Sequence, residues 1–425
     1  MRAMISPVFA LLVSTLLMQI GGGMAGYLLP LRAAEEGWDT LLISLFAASF
    51  AMAFTLGCVV VPRIVFLVGH IRVFSALTAA MAISLLLHSV IVDPFAWAVF
   101  RGIHGFAIAG TYMVLESWLN EKSTNEARGT IFAIYMIMST CGIMIGQFLV
   151  PLGDTSDTIL FIVCALAFLA SLFPTTLTTA ASPNPLTTVR FDLKALFHRS
   201  PIATVTALFC GLVTGTWFSL GPVFVTLRDI TTSDGAIMLA SAMAGGTLGQ
   251  FPFGVLSDKI DRRIVMIIIS VLGSLSCLAV YFIDLESLNF FFVLMFFLGL
   301  AIFPLYSIAI AHANDFSAAD EFVETSSGLL VIYGAGSVAG PIIGAFAMQG
   351  LGPEGMFALM SISFAIVAIY AAYRLQQRDQ VPEEDRMDYG ITPVGRSLSP
   401  QTFELDPRSD PEWGSEIEED TETNQ

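Results

Sequence analysis

The chain has 425 residues, 55% of them hydrophobic and only 13% charged, whereas a soluble domain carries roughly 25% charged residues. No water-soluble fold hides that much apolar surface. The net charge of −16 is mainly a property of the tail, because fourteen acidic residues against five arginines between Arg374 and Gln425 place −9 there; nothing in this pattern points to nucleic acid.

In chain order, apolar runs near the ~20 residues that a helix needs to cross a bilayer predict spans at Val8 to Leu31, Thr40 to Val61, Val73 to Val92, Phe95 to Trp118, Thr130 to Val150 and Thr158 to Leu177. The first is too long for the apolar core of a signal peptide, and others follow it. These six make a first half, 1–177. A polar linker, 178–200, carries Ser-Pro-Asn-Pro and then Arg190, Asp192, Lys194, His198 and Arg199, with room for one short interfacial helix. A second half, 201–373, repeats the rhythm at Pro201 to Leu227, Ile237 to Leu256, Ile264 to Ile283, Asn289 to Ala311, Val323 to Met348 and Met356 to Tyr373. The remainder, 374–425, is acidic, poor in apolar residues and expected to be disordered. The runs do not alternate with period two, so a β-barrel is not expected. The expected class is an all-α integral membrane protein of twelve transmembrane helices in two pseudo-symmetric six-helix halves.

Lysine and arginine set the orientation. With both termini cytoplasmic, sixteen of them fall in cytoplasmic segments, Arg32 and Arg228 in external loops, and Arg101 inside a span. The positive-inside rule therefore predicts a plasma-membrane protein with both termini cytoplasmic. The halves also echo each other, since Gly26-Tyr-Leu-Leu-Pro-Leu-Arg32 ends span one much as Gly221-Pro-Val-Phe-Val-Thr-Leu-Arg228 ends span seven. Such repeats serve alternating access, with the solute held between them.

Between spans eight and nine stands Gly254-Val-Leu-Ser-Asp258-Lys259-Ile-Asp261-Arg262-Arg263. It resembles the loop signature of the major facilitator superfamily, and the resemblance implies a gating role in which Asp258 pairs with Arg128 at the start of span five. The matching turn of the first half, Gly57-Cys-Val-Val-Val-Pro62-Arg63 with Arg72 beyond, has proline where the family has its acid. Arg63 and Arg72 either pair with Asp320, Glu321 or Glu324 or serve only as topological anchors.

Span four opens with Arg101-Gly-Ile-His104-Gly105, similar to the superfamily's fourth-helix pattern. Helical steps of 100° put Arg101, His104, Ile108, Tyr112 and Glu116 on one stripe. An arginine within a membrane usually faces the bundle interior; the alternative is that it snorkels to the headgroups. Glu116 is either a proton carrier or an anchor for the following loop. The resemblance, in which helices one, four, seven and ten line the cavity, adds Gln19, Trp217 and Tyr306 as candidates. Span eleven carries Gly336, Gly340, Pro341 and Gly344, a spacing for close helix packing; span five has Gly142 and Gly146, with Gln147 in place of the proline that antiporters carry there. Trp118-Leu-Asn120, Arg128-Gly129 and the glycine-proline span resemble the bacterial YcaD-like subgroup.

The five cysteines all lie in apolar runs, implying neither a disulfide framework nor a metal site. No phosphate-binding Gly-x-x-x-x-Gly-Lys-Ser/Thr loop is present, and no cofactor or enzymatic residue set is expected. The expected activity is secondary transport, uptake or efflux, of a small organic solute, with H+ as the coupling ion and the lipid bilayer as surroundings. The alternative is a transporter-like receptor signalling through its acidic tail to a protein that the sequence does not identify.

Overall fold

A computed structural model of the chain describes residues 8–123, 125–177, 192–282, 288–318, 321–377, 381–382, 386–391 and 399–409. Twelve long helical segments form the body: α1 Phe9–Glu35, α2 Thr40–Val68, α3 His70–Val90, α4 Pro94–Lys122, α5 Asn125–Leu149, α6 Thr158–Thr176, α7 Pro201–Leu227, α8 Thr232–Lys259, α9 Arg262–Phe282, α10 Leu288–Asn314, α11 Phe322–Leu351 and α12 Gly355–Leu375. All but α8 are long and apolar enough to cross a membrane by length and composition alone. α8 spends its composition on Gly, Ala and Ser but is 28 residues long and packs along α10 in the bundle. Large side chains such as Met52, Phe251, Phe282 and Ile369 point outward, as a surface solvated by lipid requires.

Short polar signals start the helices. Asp93 accepts hydrogen bonds from the backbone N–H groups of Phe95 (3.0 Å) and Ala96 (2.8 Å), with Pro94 at the first helical position. Asp39 accepts from Leu41 N (2.8 Å) at the start of α2. α2 itself runs through Pro62, where a turn was expected, and stops at Gly69, whose φ of +87° suits a residue without a Cβ.

The six helices of each half pack in the same pattern: α1 with α5, α2 with α4 and α3 with α6, matched by α7 with α11, α8 with α10 and α9 with α12. Glycine decides how close they come. A Cβ on Gly146 would lie 2.2 Å from the Ile20 carbonyl of α1, and one on Gly340 would lie 2.2 Å from the Leu212 carbonyl of α7. Gly336 likewise abuts the Leu208 carbonyl, at 2.1 Å, and Gly344 the Leu220 side chain, at 2.7 Å, with Pro341 between them in α11.

The halves meet along α1 with α7 and α2 with α11. Direct hydrogen bonds across this seam include Tyr27 Oη to the Thr232 carbonyl (2.7 Å) and Gln349 Nε2 to Asp39 Oδ1 (3.0 Å). Both lie at the ends of helices remote from the start of α1 and the end of α12. This is the far face, and the opposite one, where α1 starts and α12 ends, is the tail face. The linker contributes a short helix, Leu193–Arg199, capped by Asp192 on the tail face; residues 178–191 lie outside the described residues.

The tail departs from expectation. Far from being uniformly unstructured, its described residues pack: Gln401, Thr402, Phe403 and Leu405 of a short tail helix, Pro400–Leu405, are each at most 1% exposed, and Met387 and Tyr389 rest against the core. Composition misled here because the apolar surface that the tail needs is supplied by the helices of the body.

Candidate functional site

α1, α2, α4, α5 and α7 surround a small cavity at the seam, about 50 Å³ in volume. That is room for a few waters, since one needs about 10–15 Å³. Its polar lining comes from Gln19 on α1, Arg101, His104 and Tyr112 on α4, and Gln147 on α5; Phe218 and Pro222 of α7 and Leu239 of α8 close the other side. The α4 stripe thus reaches the cavity through Tyr112.

The polar groups are only partly satisfied. Tyr112 Oη donates to Gln19 Oε1 (2.8 Å). Gln19 Nε2, His104 Nδ1 and Gln147 Oε1 are buried with no hydrogen-bond partner among the described residues, an arrangement that is costly unless a ligand or water completes it. Arg101 is 3% exposed, and its guanidinium carbon lies 4.4 Å from the centre of the Phe50 ring, a cation-π geometry. Phe50 reaches that place because Gly105, whose Cβ would lie 2.3 Å from the Phe50 carbonyl, lets α2 and α4 touch. Among the described residues, no acidic side chain lines the cavity.

Other sequence candidates fall elsewhere. Trp217 is fully buried in α7, outside this lining, its indole N–H unpartnered among the described residues. Tyr306 packs at a 47° tilt against Tyr333, ring centres 4.8 Å apart, within the second half. Glu116 sits one turn beyond Tyr112, fully buried, and its carboxyl group accepts from Tyr135 Oη (2.6 Å), Thr402 Oγ1 (2.8 Å) and Ser399 Oγ. Two of these three donors belong to the tail. Sequence reasoning missed Phe50 and Phe218; Gly105 was the available signal for the first.

The tail-face turn between α8 and α9 also corrects an expectation. Asp258 pairs with Arg262 (3.4 Å) and accepts from Tyr389 N (3.0 Å), so the predicted pair with Arg128 is not formed in this state. Arg262, its side chain 1% exposed, holds Asp315 at 2.7 Å, and Arg263 holds Asp261 at 2.6 Å. Burial pushes the Asp315 carboxyl above its usual value against the pull of Arg262. Lys259 is exposed. Arg63 and Arg72 are exposed and make no ion pair among the described residues, while Glu321 is held by Arg199 at 2.6 Å through both guanidinium nitrogens. Asp320 lies outside the described residues.

Comparison with known proteins agrees with this architecture. The model of the Major Facilitator Superfamily matches residues 11–247 and 229–402. An uncharacterized MFS-type transporter of Yersinia pestis (strain Pestoides F) is 26% identical over 401 residues, covering 90% of this chain and 99% of the relative. The uncharacterized MFS-type transporter YcaD of Escherichia coli O17:K52:H18 is 26% identical over 385 residues, 89% and 97% of the two chains. Among solved structures, the nucleoside transporter NupG superposes with a TM-score of 0.74 at 16% identity over 87% of this chain and 99% of its own. A bacterial homolog of the human lysosomal transporter Spinster, inward-facing and occupied, gives 0.71 at 15% over 89% and 97%. At such identities the two structures establish the fold alone.

Proposed function

Because the chain belongs to the Major Facilitator Superfamily, and within it resembles the YcaD-like group, we propose that it is a secondary transporter of a small organic anion, working by alternating access of its two halves in a bacterial inner membrane with the tail face cytoplasmic. The fold and relatives support secondary transport in general. One observation carries the solute class: a buried guanidinium, Arg101, in a cavity at the seam whose lining, among the described residues, holds no acidic side chain. A positive charge in such a lining attracts an anionic solute and repels a cationic one. Gln19 Nε2 and His104 Nδ1, unpartnered among the described residues, add polar atoms to bind it, and the Phe50 and Phe218 rings provide an apolar wall.

In this state the cavity is too small for an organic solute, so loading requires the halves to part on one face. Glu116 is the proton carrier in this reading: a fully buried carboxyl group one turn from the cavity stripe, already within a set of hydroxyl hydrogen bonds.

The test is flux in proteoliposomes with a panel of anionic, neutral and cationic organic solutes, with and without an imposed pH gradient. Uptake confined to anions, lost in Arg101→Ala and partly kept in Arg101→Lys, supports the reading. Glu116→Gln should abolish the response to the gradient while sparing downhill movement. Movement of cations that survives Arg101→Ala would overturn the solute class. If folded protein moves no member of the panel, the receptor reading takes its place.

A further inference from the structure

Beyond α12, the described residues pack on the body. On the second half, Tyr389 N donates to Asp258 Oδ1 (3.0 Å), Met387 N donates to Asp315 Oδ1 (3.1 Å) and Arg262 donates to the Met387 carbonyl. The Tyr389 ring fills the space beside Gly254, where a Cβ would come within 2.4 Å of it. On the first half, Ser399 and Thr402 donate to Glu116 of α4, and Pro407 lies 3.6 Å from where a Cβ of Gly129 on α5 would stand. Arg408 joins the two stretches: it holds Asp406 at 2.6 Å, donates to the Asp388 carbonyl at 3.2 Å and lies over the Phe322 ring of α11.

The described tail residues therefore touch both halves on the tail face, whereas Tyr27 with Thr232 and Gln349 with Asp39 join the halves directly on the far face. Two features mark the tail's attachment as reversible. Its grip on Glu116 is made of hydroxyl groups that water can replace. At the centre of the attachment, the Gln401 amide is fully buried, and neither its oxygen nor its nitrogen has a partner among the described residues, a burden that release into water removes.

We propose that Ser399 to Ser409 form a strap that closes the tail-face mouth between the halves, and that this strap must leave Glu116 before the mouth opens. As a regulator of transport this rests on the transporter reading. Closure itself does not, and it is measured without any solute.

The experiment uses the full chain in nanodiscs with the exposed Cys141 changed to serine and a reporter at Gln401→Cys, labelled with a bulky hydrophilic maleimide. The reporter should react slowly but to completion while the protein stays folded, as expected of a strap that leaves and returns. Ser399→Glu, which sets a second carboxyl group against Glu116, should speed labelling by roughly tenfold, the weight of a charge-assisted hydrogen bond lost. The milder pair Ser399→Ala with Thr402→Val should act in the same direction, and it stands as the test if the glutamate variant does not fold. Labelling as fast as in unfolded protein, or unchanged by these substitutions, would overturn the strap, as would labelling that appears only on unfolding. Flux that rises with labelling in the same variants supports regulation, and flux that stays constant while labelling rises overturns it. Absence of flux in every form, with labelling as expected, is instead a failure of the transporter reading.

Discussion

The two halves share a packing scheme but divide the chemistry. α1, α4 and α5 of the first half bring Gln19, Arg101, His104, Tyr112 and Gln147 to the cavity, while the second half offers only Phe218, Pro222 and Leu239. On the tail face the roles reverse: the α8–α9 turn holds Arg262 and Arg263 in buried ion pairs with Asp315 and Asp261, and the equivalent end of α2 has Pro62 and an exposed Arg63. The position that is Pro341 in the glycine-rich seam of α11 is Gln147 in α5, where it faces the cavity. A duplicated scaffold has thus kept its close-packed seams in both halves while binding chemistry collected in one and face-fastening chemistry in the other.

The shared seams are the part most easily broken. Gly340→Leu and Gly146→Leu should each drive a side chain into a backbone carbonyl and destabilise the protein by about 3 kcal/mol, read as matched falls in Tm. If only one does so, the packing equivalence of the halves is wrong. The division of chemistry comes next. Arg101→Ala should weaken binding of an anionic solute by about thirtyfold, the loss of a charge-assisted contact worth about 2 kcal/mol. Phe218→Ala across the cavity should cost only about fivefold through lost apolar contact; titration of both variants with one transported anion checks the order. Gln147→Leu, which gives α5 an apolar residue where α11 has proline, should leave Tm unchanged and lower affinity by about fivefold, one neutral hydrogen bond.

The smallest effect concerns Arg199 and Glu321, half exposed on the tail face. The Arg199 guanidinium holds the Glu321 carboxyl below its usual value, so the pair's stabilisation is present above the ordinary glutamate value of about 4.3 and is lost as pH falls through the lowered folded value. Arg199→Ala should cost less than about 1 kcal/mol at neutral pH, and the difference in Tm from wild type should vanish in acid.

Much of this was legible in the chain. Span lengths, the repeat and the α4 stripe up to Tyr112 follow from helical periodicity and apolar run length, which are local properties. The end of α2 was misplaced because a proline inside a long helix reads as a boundary when its neighbours are unknown, and Gly69 is the true stop. Partner choice was the larger failure. Asp258 was matched to Arg128 by resemblance, yet its nearest cation is Arg262 one turn away, and the tail supplies Tyr389 N. Nor could tail composition reveal that the short tail helix carrying Phe403 and Leu405 finds its apolar surroundings on α4, beside Glu116, and on α11. Contacts between distant segments leave no periodic trace.

Asp39 links helix initiation to the far-face seam. The same Oδ1 that accepts from Leu41 N to cap α2 also receives Gln349 from the other half, at 3.0 Å. Its own helix orients the carboxylate whether or not the partner half is present, so forming this contact requires ordering of the Gln349 side chain alone. Half of this clasp is always set, which lowers the entropic cost of remaking it when the far face closes.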